Sequence, residues 1–181
     1  LQNTLNKEQK MTKKTAIIKG ILGFLLFFLA DQGTKLLAVR NLKGKESVEL
    51  IPGVLEFQYL ENRGAAFGIL QNQQWLFILL CCVFLVIAAY FYYRLPLEKK
   101  YWLFRLMAVL LAAGALGNLV DRILHKYVVD FIYFSLIHFP IFNVADCYVT
   151  VSMFIFILLF LFLYKEEDLN CLSGRKEREA D

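Results

Sequence analysis

Four long runs of mostly apolar residues, from about Ile17 to Val39, Trp75 to Tyr93, Tyr101 to Val120 and Phe142 to Tyr164, set the terms for everything else in this chain. At a helical rise of 1.5 Å per residue, each run can cross most or all of a hydrocarbon layer about 30 Å thick. A backbone inside that layer has no water to bond to, so each run has to be helical. Trp75 and Tyr93 bracket the second run as aromatics do at a membrane interface. A hydrophobic content of 59% and a mean hydropathy of +0.52 exclude an ordinary soluble domain of 181 residues. The expected fold class is a mainly α membrane protein, with four transmembrane helices and a small extracytoplasmic β-rich loop.

Residues 1–10 are polar and precede Met11, Thr12, Lys13 and Lys14, so they read as a tag or other non-native extension. Residues 11–164 form a single four-helix domain, and the charged residues 165–181 read as a cytoplasmic tail. The first run resembles a signal peptide in having basic residues before it. It is followed by Asp31 and Lys35 rather than a small-residue cleavage site, and by further spans, which argues for a retained helix. The segment from about 41 to 72 is different in kind. Gly44, Pro52 and Gly53 punctuate it, and Val54 to Leu60 alternates as a short strand or hairpin would.

Charge and cysteine usage narrow the function classes. Cys81, Cys82, Cys147 and Cys171 show no metal-ligand spacing, and His125 and His138 are too few to complete a zinc site, so neither metal nor cofactor is expected. The net charge of +4 is distributed as in a membrane protein, not a nucleic-acid binder. Lysines and arginines gather before the first run, between the second and third, and after the fourth. That pattern puts both termini in the cytoplasm, with the segments 41–72 and 121–141 outside.

Ionisable groups at the edges of such runs are costly, and each needs a partner or a role. Asp31 and Lys35 are four apart in the favourable ion-pair order, which suits an interfacial salt bridge. Asn62, Arg63 and Gly64 close the first outer segment in a pattern suited to a turn. Ala113, Gly114 and Gly117 put small residues on the third span, where they let helices approach closely. Asn118 and Arg122 share a face one turn apart, as do Asn143 and Asp146 at the start of the fourth span. The orientation carries Asp31, Lys35, Asn62, Asn118, Arg122, Asn143 and Asp146, with Asp130, to one outer face.

Two carboxylates brought close cannot both ionise cheaply, so Asp130 and Asp146 would hold one proton between them. That is the working state of an aspartic peptidase, which needs no metal. Spacing alone leaves two other readings open: a transporter or channel relaying protons through the same aspartates, and a purely structural set of buried hydrogen bonds.

Five motifs in order carry a resemblance: Asp31–Lys35 (DQGTK), Glu61–Gly68 (ENRGAAFG), Gly117–Arg122 (GNLVDR), Val128–Phe131 (VVDF) and Phe142–Asp146 (FNVAD). Together they resemble the lipoprotein signal peptidase, or signal peptidase II, family over about residues 15–164. The resemblance implies an aspartic endopeptidase of the bacterial plasma membrane. It would cleave the signal peptide from prolipoproteins just before a diacylglyceryl-modified cysteine. It implies Asp130 and Asp146 as the catalytic dyad and excludes Asp121 from it. Asp31, Lys35, Asn62, Gly64, Asn118, Arg122 and Asn143 become residues that hold substrate or support the site. An outer sheet cradling substrate, inhibition by globomycin, a bilayer environment and a monomer without nucleic-acid partners complete the expectation.

Overall fold

The structure, a computed structural model, describes residues 11–64 and 73–163. The polar extension before Met11, the Ala65–Gly68 part of the second motif and the C-terminal tail lie outside the described residues. Among the described residues, four helices are long and apolar enough to cross a membrane. They are α1 (Lys13–Leu42), α2 (Gln74–Arg94), α3 (Trp102–His125, entered through a 3-10 turn at Lys99–Tyr101) and α4 (Val144–Leu158, continued by a π turn at Leu159–Leu163). A three-stranded antiparallel sheet, β1 (Val48–Ile51), β2 (Leu55–Asn62) and β3 (Val128–Tyr133), sits at one end in the order β1-β2-β3.

Helix α3 is the centre of the bundle and packs against each of the other three. The difference shows in exposure: Val86 of α2 and Phe162 beyond α4 are 69% and 77% exposed, in keeping with helix faces turned to lipid, whereas Ala113 of α3 is fully covered. Small residues on α3 permit the contact. A Cβ on Gly114 would lie 2.7 Å from the Ala145 carbonyl oxygen, so α4 approaches there along a path only glycine leaves open. Gly117 has a further task. A Cβ there would lie 2.3 Å from Asp31 Oδ2, so this glycine admits a buried carboxylate from α1 as well as a helix.

Among the described residues, apolar side chains cluster at each end of the bundle. Tyr101, Phe104, Met107, Leu95 and Leu159 pack at the end carrying the α2–α3 connection. Ala38 and Leu42 of α1 pack against Val129 and Phe131 of β3 at the other, fixing the sheet to the helices. Leu55–Asn62 matches the strand expected around Val54 to Leu60. Pro52 and Gly53, with φ of +67° at the glycine and Val54 N–H donating to Ile51 O at 2.9 Å, make the turn before it. Strand β3 was not legible as a strand. Its first four residues are buried on both faces, so the alternation that marks a half-buried strand is missing. It follows α3 after a tight reversal in which Lys126 takes φ of +66° and its N–H bonds the Arg122 carbonyl.

Gly117→Ala should lower the thermal midpoint of the detergent-solubilised protein, by an overpacking cost on the order of 1–3 kcal/mol. Gly33→Ala, where nothing lies within 4 Å of the added carbon, should leave the midpoint unchanged or slightly raised. Equal behaviour of the two variants in a melting experiment would contradict the packing described.

Candidate active site

The site forms where the sheet meets the bundle, and its geometry begins with Asn143. This residue is the N-cap of α4: its Oδ1 accepts from Asp146 N–H at 3.1 Å, and its own N–H donates to Asp146 Oδ2 at 3.1 Å, a reciprocal capping box. The neighbouring free N–H, on Ala145, donates to Asp31 Oδ1 at 3.0 Å. A carboxylate at this helix end meets both the unsatisfied donors and the favourable end of the helix dipole. Asp146 is thus held by the start of its own helix, and α4 is tied to α1 by Asp31.

Asp130 arrives from β3, and Asn62 from the end of β2, opposite Val128 in the register. Asn62 Nδ2 donates to Asp130 Oδ2 at 2.8 Å, and Asn143 Nδ2 donates to Asp130 Oδ1 at 2.6 Å. Asn118 of α3 donates from Nδ2 to Asp146 Oδ1 at 2.9 Å and accepts at Oδ1 from Asn143 at 3.2 Å. The two aspartates are therefore linked through two shared asparagines.

The direction of these bonds is fixed. Backbone N–H groups and an ammonium only donate, so any amide atom facing one of them has to be the oxygen. Asn62 Oδ1 faces Gly64 N–H at 3.0 Å, Asn143 Oδ1 faces Asp146 N–H, and Asn118 Oδ1 faces Lys35 Nζ at 2.8 Å. Each of the three asparagines is left with its NH2 group toward a carboxylate. Burial pushes the Asp130 carboxyl up to about 7; the Asn62 and Asn143 hydrogen bonds oppose the rise and the nearby Asp146 adds to it.

Behind this layer lies a buried ion cluster. Lys35 Nζ is 3.0 Å from Asp31 Oδ2 and 3.0 Å from Asp121 Oδ2, with all three side chains at most 5% exposed. Asp121 Oδ2 also accepts from Val129 N–H at 3.1 Å, one residue before Asp130. Gln32 completes the cluster, donating to Asp31 Oδ2 at 3.1 Å and to the Gly117 carbonyl at 3.3 Å. Among the described residues no three His, Cys, Asp or Glu side chains are grouped as metal ligands would be. The ammonium of Lys35 already stands between the two carboxylates where a cation would bind.

Arg122 lines the cavity with Asn118, as their one-turn spacing suggests, but its donors go to the backbone. Its Nη1 donates to the Asn118 carbonyl and its Nη2 to the Gly64 carbonyl, both at 3.3 Å, while its guanidinium lies 4.6 Å over the Phe77 ring of α2. It thus clamps the exit of β2 to α3 while still lining the cavity. At the rim outside the spans, Lys43 donates to Glu61 Oε1 at 2.8 Å and holds that carboxyl below its usual range, fastening β2 to the end of α1.

All nine residues singled out in the sequence come together: Asp31, Lys35, Asn62, Gly64, Asn118, Arg122, Asp130, Asn143 and Asp146 occupy one region. Two were missed. The motifs assign no site role to Asp121 or Gln32, although Asp121 lies three residues from Asn118 and so shares its helix face. The site opens into a cavity of about 750 Å³. Asn62, Asn118, Asp130 and Asp146 line its polar end, and Phe134, Ile137, Phe139, Ile141, Val149 and Val151 line an apolar remainder.

Replacing Asp121 tests the buried cluster without touching Asp130 or Asp146. Asp121→Asn keeps an acceptor for Val129 N–H and loses the ion pair; Asp121→Ala loses both, and an unsatisfied buried donor costs about 1–3 kcal/mol. Melting temperatures should fall in the order wild type, Asn variant, Ala variant. Equal losses for the two would show that the Val129 bond contributes nothing.

Residues 23–162 match the family described as signal peptidase (SPase) II. The chain is 43% identical over 151 residues to the lipoprotein signal peptidase of Streptococcus agalactiae serotype Ia, covering 83% of this chain and 94% of that one. It is 42% identical over 156 residues to the lipoprotein signal peptidase of Streptococcus thermophilus strain CNRZ 1066, covering 86% and 97%. A solved bacterial membrane enzyme, determined by the in meso method at 2.3 Å resolution, superposes with a TM-score of 0.70 at 34% identity over 91% of this chain and 96% of that one. With a family match across most of its length and relatives of this identity, the chain is a multi-pass membrane peptidase belonging to the signal peptidase II family.

Proposed function

We propose that this chain is an aspartic endopeptidase with Asp130 and Asp146 as its catalytic dyad, cutting bacterial prolipoproteins just before their diacylglyceryl-modified cysteine. The observation that carries the reading is the pairing of the two aspartates, through Asn118 and Asn143, at the polar end of a cavity whose remainder is apolar. A peptide bond fits the first part and a lipid-bearing residue the second.

The mechanism follows from where the proton sits. With its carboxyl raised to about 7 by burial, Asp130 is the member that holds the shared proton near neutrality. It donates a hydrogen bond to the scissile carbonyl and polarises it. Asp146 takes a proton from water, which attacks that carbonyl. The tetrahedral intermediate then collapses as a proton passes to the leaving nitrogen. The three asparagine NH2 groups hold the carboxylates in place, since none can turn an acceptor toward them.

The site lies at the outer face of the plasma membrane, with both termini in the cytoplasm, in keeping with the distribution of lysine and arginine. Each buried methylene of the substrate's acyl chains contributes about 0.8 kcal/mol, so the lipid stays in the bilayer and the substrate enters sideways. One chain supplies both aspartates and suffices.

The decisive experiment is cleavage of a purified diacylglyceryl-modified prolipoprotein in detergent. Wild type should cut before the modified cysteine and be inhibited by globomycin, while Asp130→Asn and Asp146→Asn should each lose at least about a hundredfold in rate. Intact substrate with wild type, under conditions where another signal peptidase II cleaves it, would overturn the reading; proton flux in liposomes would then test a transport role.

The pH profile adds a second check. Asp130 is protonated below about 7 and loses that proton above it, so the rate should decline through an alkaline limb near pH 7. Asn62→Ala removes a hydrogen bond that lowers the Asp130 value, and should move this limb to higher pH while reducing the maximum rate. Arg122→Ala, which frees the Gly64 carbonyl, should reduce cleavage with the limb nearly in place. Wild-type rates and substrate affinity in both variants would remove Asn62 and Arg122 from the site.

A further inference from the structure

Helix α4 carries a graded series of side chains along one face. Asp146, Thr150, Met153 and Ile157 stand at i, i+4, i+7 and i+11, a spacing that keeps them on one side of the helix. Asp146 and Thr150 line the cavity, and Thr150 is exposed there. Met153 and Ile157 follow on the spanning part of the helix, 50% and 49% exposed, where hydrocarbon meets them. From the start of the helix onward the face therefore reads carboxylate, hydroxyl, then apolar side chains.

The hydroxyl is the member of this series that needs a reason. On a helix facing lipid it has no water to bond, so such groups are normally spent on a nearby carbonyl or sealed between helices. The other two hydroxyls of α4 follow that rule. Tyr148 donates to the Phe27 carbonyl of α1 at 3.2 Å, and Ser152 is fully buried. Thr150 does neither: it stands exposed in the cavity wall, with no hydrogen-bond partner for its side chain among the described residues.

Its height on the helix matches one part of the substrate. Side chains lean toward the N-terminus of a helix, so the Thr150 hydroxyl leans back toward Asp146, one turn or about 5.4 Å away along the axis. In a diacylglyceryl-modified cysteine, the thioether sulfur and one methylene stand between the cysteine side chain and the glycerol carbon that bears the first ester. That separation is of the same order. The ester carbonyl accepts and cannot donate, the sulfur accepts only weakly, and the acyl chains bond nothing. A donor one turn beyond Asp146, followed by apolar side chains, meets those groups in their order along the substrate.

We propose that Thr150 is a specificity-determining residue, its hydroxyl donating to an ester carbonyl of the substrate's diacylglyceryl group while Met153 and Ile157 meet the acyl chains. The assignment rests on the peptidase reading and deepens it. A bond of this kind distinguishes a glyceryl ester from a bare alkyl chain, which the apolar wall of the cavity cannot do.

The test is steady-state cleavage by the full chain, in detergent, of two synthetic prolipoprotein peptides. One carries dipalmitoylglyceryl cysteine; the other is its dihexadecyl ether analogue, which keeps the chains and lacks the carbonyls. Thr150→Val, of nearly the same shape, should raise KM for the ester about fivefold, the equivalent of about 1 kcal/mol for one neutral hydrogen bond, with the loss in KM and not in kcat. Thr150→Ser, which keeps the donor, should restore most of it. Wild type should prefer the ester by a similar factor, and Thr150→Val should show no preference. Melting of Thr150→Val at the wild-type temperature would establish that it folds. An unchanged KM in Thr150→Val, or an equal loss on both peptides, would overturn the assignment of Thr150 and leave the peptidase reading standing, since wild type still cuts the ester. Failure of wild type to cut the ester, where another signal peptidase II cuts it, would overturn both.

Discussion

The ammonium of Lys35 is the point on which the rest of the structure turns. It bonds Asn118, Asp31 and Asp121, and so connects three structural commitments at once. Asp31 holds the start of α4, Asp121 holds the start of β3, and Asn118 reaches the carboxylate of Asp146. Burying charge is expensive and is recovered only where every donor and acceptor is matched. Here they are matched, and Gly117 is the concession α3 makes so that Asp31 can be present at all.

The arrangement also accounts for the number of asparagines around the two aspartates. A serine or a water can rotate and accept where it should donate. An amide whose oxygen is occupied by a fixed donor cannot, and Asn62, Asn118 and Asn143 each have such a donor. Their three donors come from a loop, an ion cluster and a helix terminus, so the polarity of the site is specified from three directions in the fold.

Much of this was legible in the sequence, for definite reasons. The four spans follow from run length and hydropathy, and the hairpin follows from Pro52 and Gly53 before an alternating segment. The nine site residues were legible because polar groups at the edge of a membrane span need a reason to be there. Strand β3 was hidden because Val128–Phe131 are buried on both faces and so look like any apolar run. Asp121 was hidden because its partners, Lys35 and Val129, are brought to it by tertiary packing and by the reversal after α3. Arg122 lines the cavity beside Asn118 as their spacing suggests, yet its contacts with two backbone carbonyls could not be inferred from that spacing.

The two aspartates are mounted on different bodies, Asp130 on a strand of the sheet and Asp146 on the first turn of a spanning helix. The sheet is seated on the bundle by a small apolar contact, Ala38 and Leu42 against Val129 and Phe131, and by the Asp121 bond. The proposed catalytic pair is therefore a joint. A molecule that wedged the sheet away from the helices would disarm the enzyme without touching either carboxylate, and the seam beneath β3 is as much a point of vulnerability as the cleft itself.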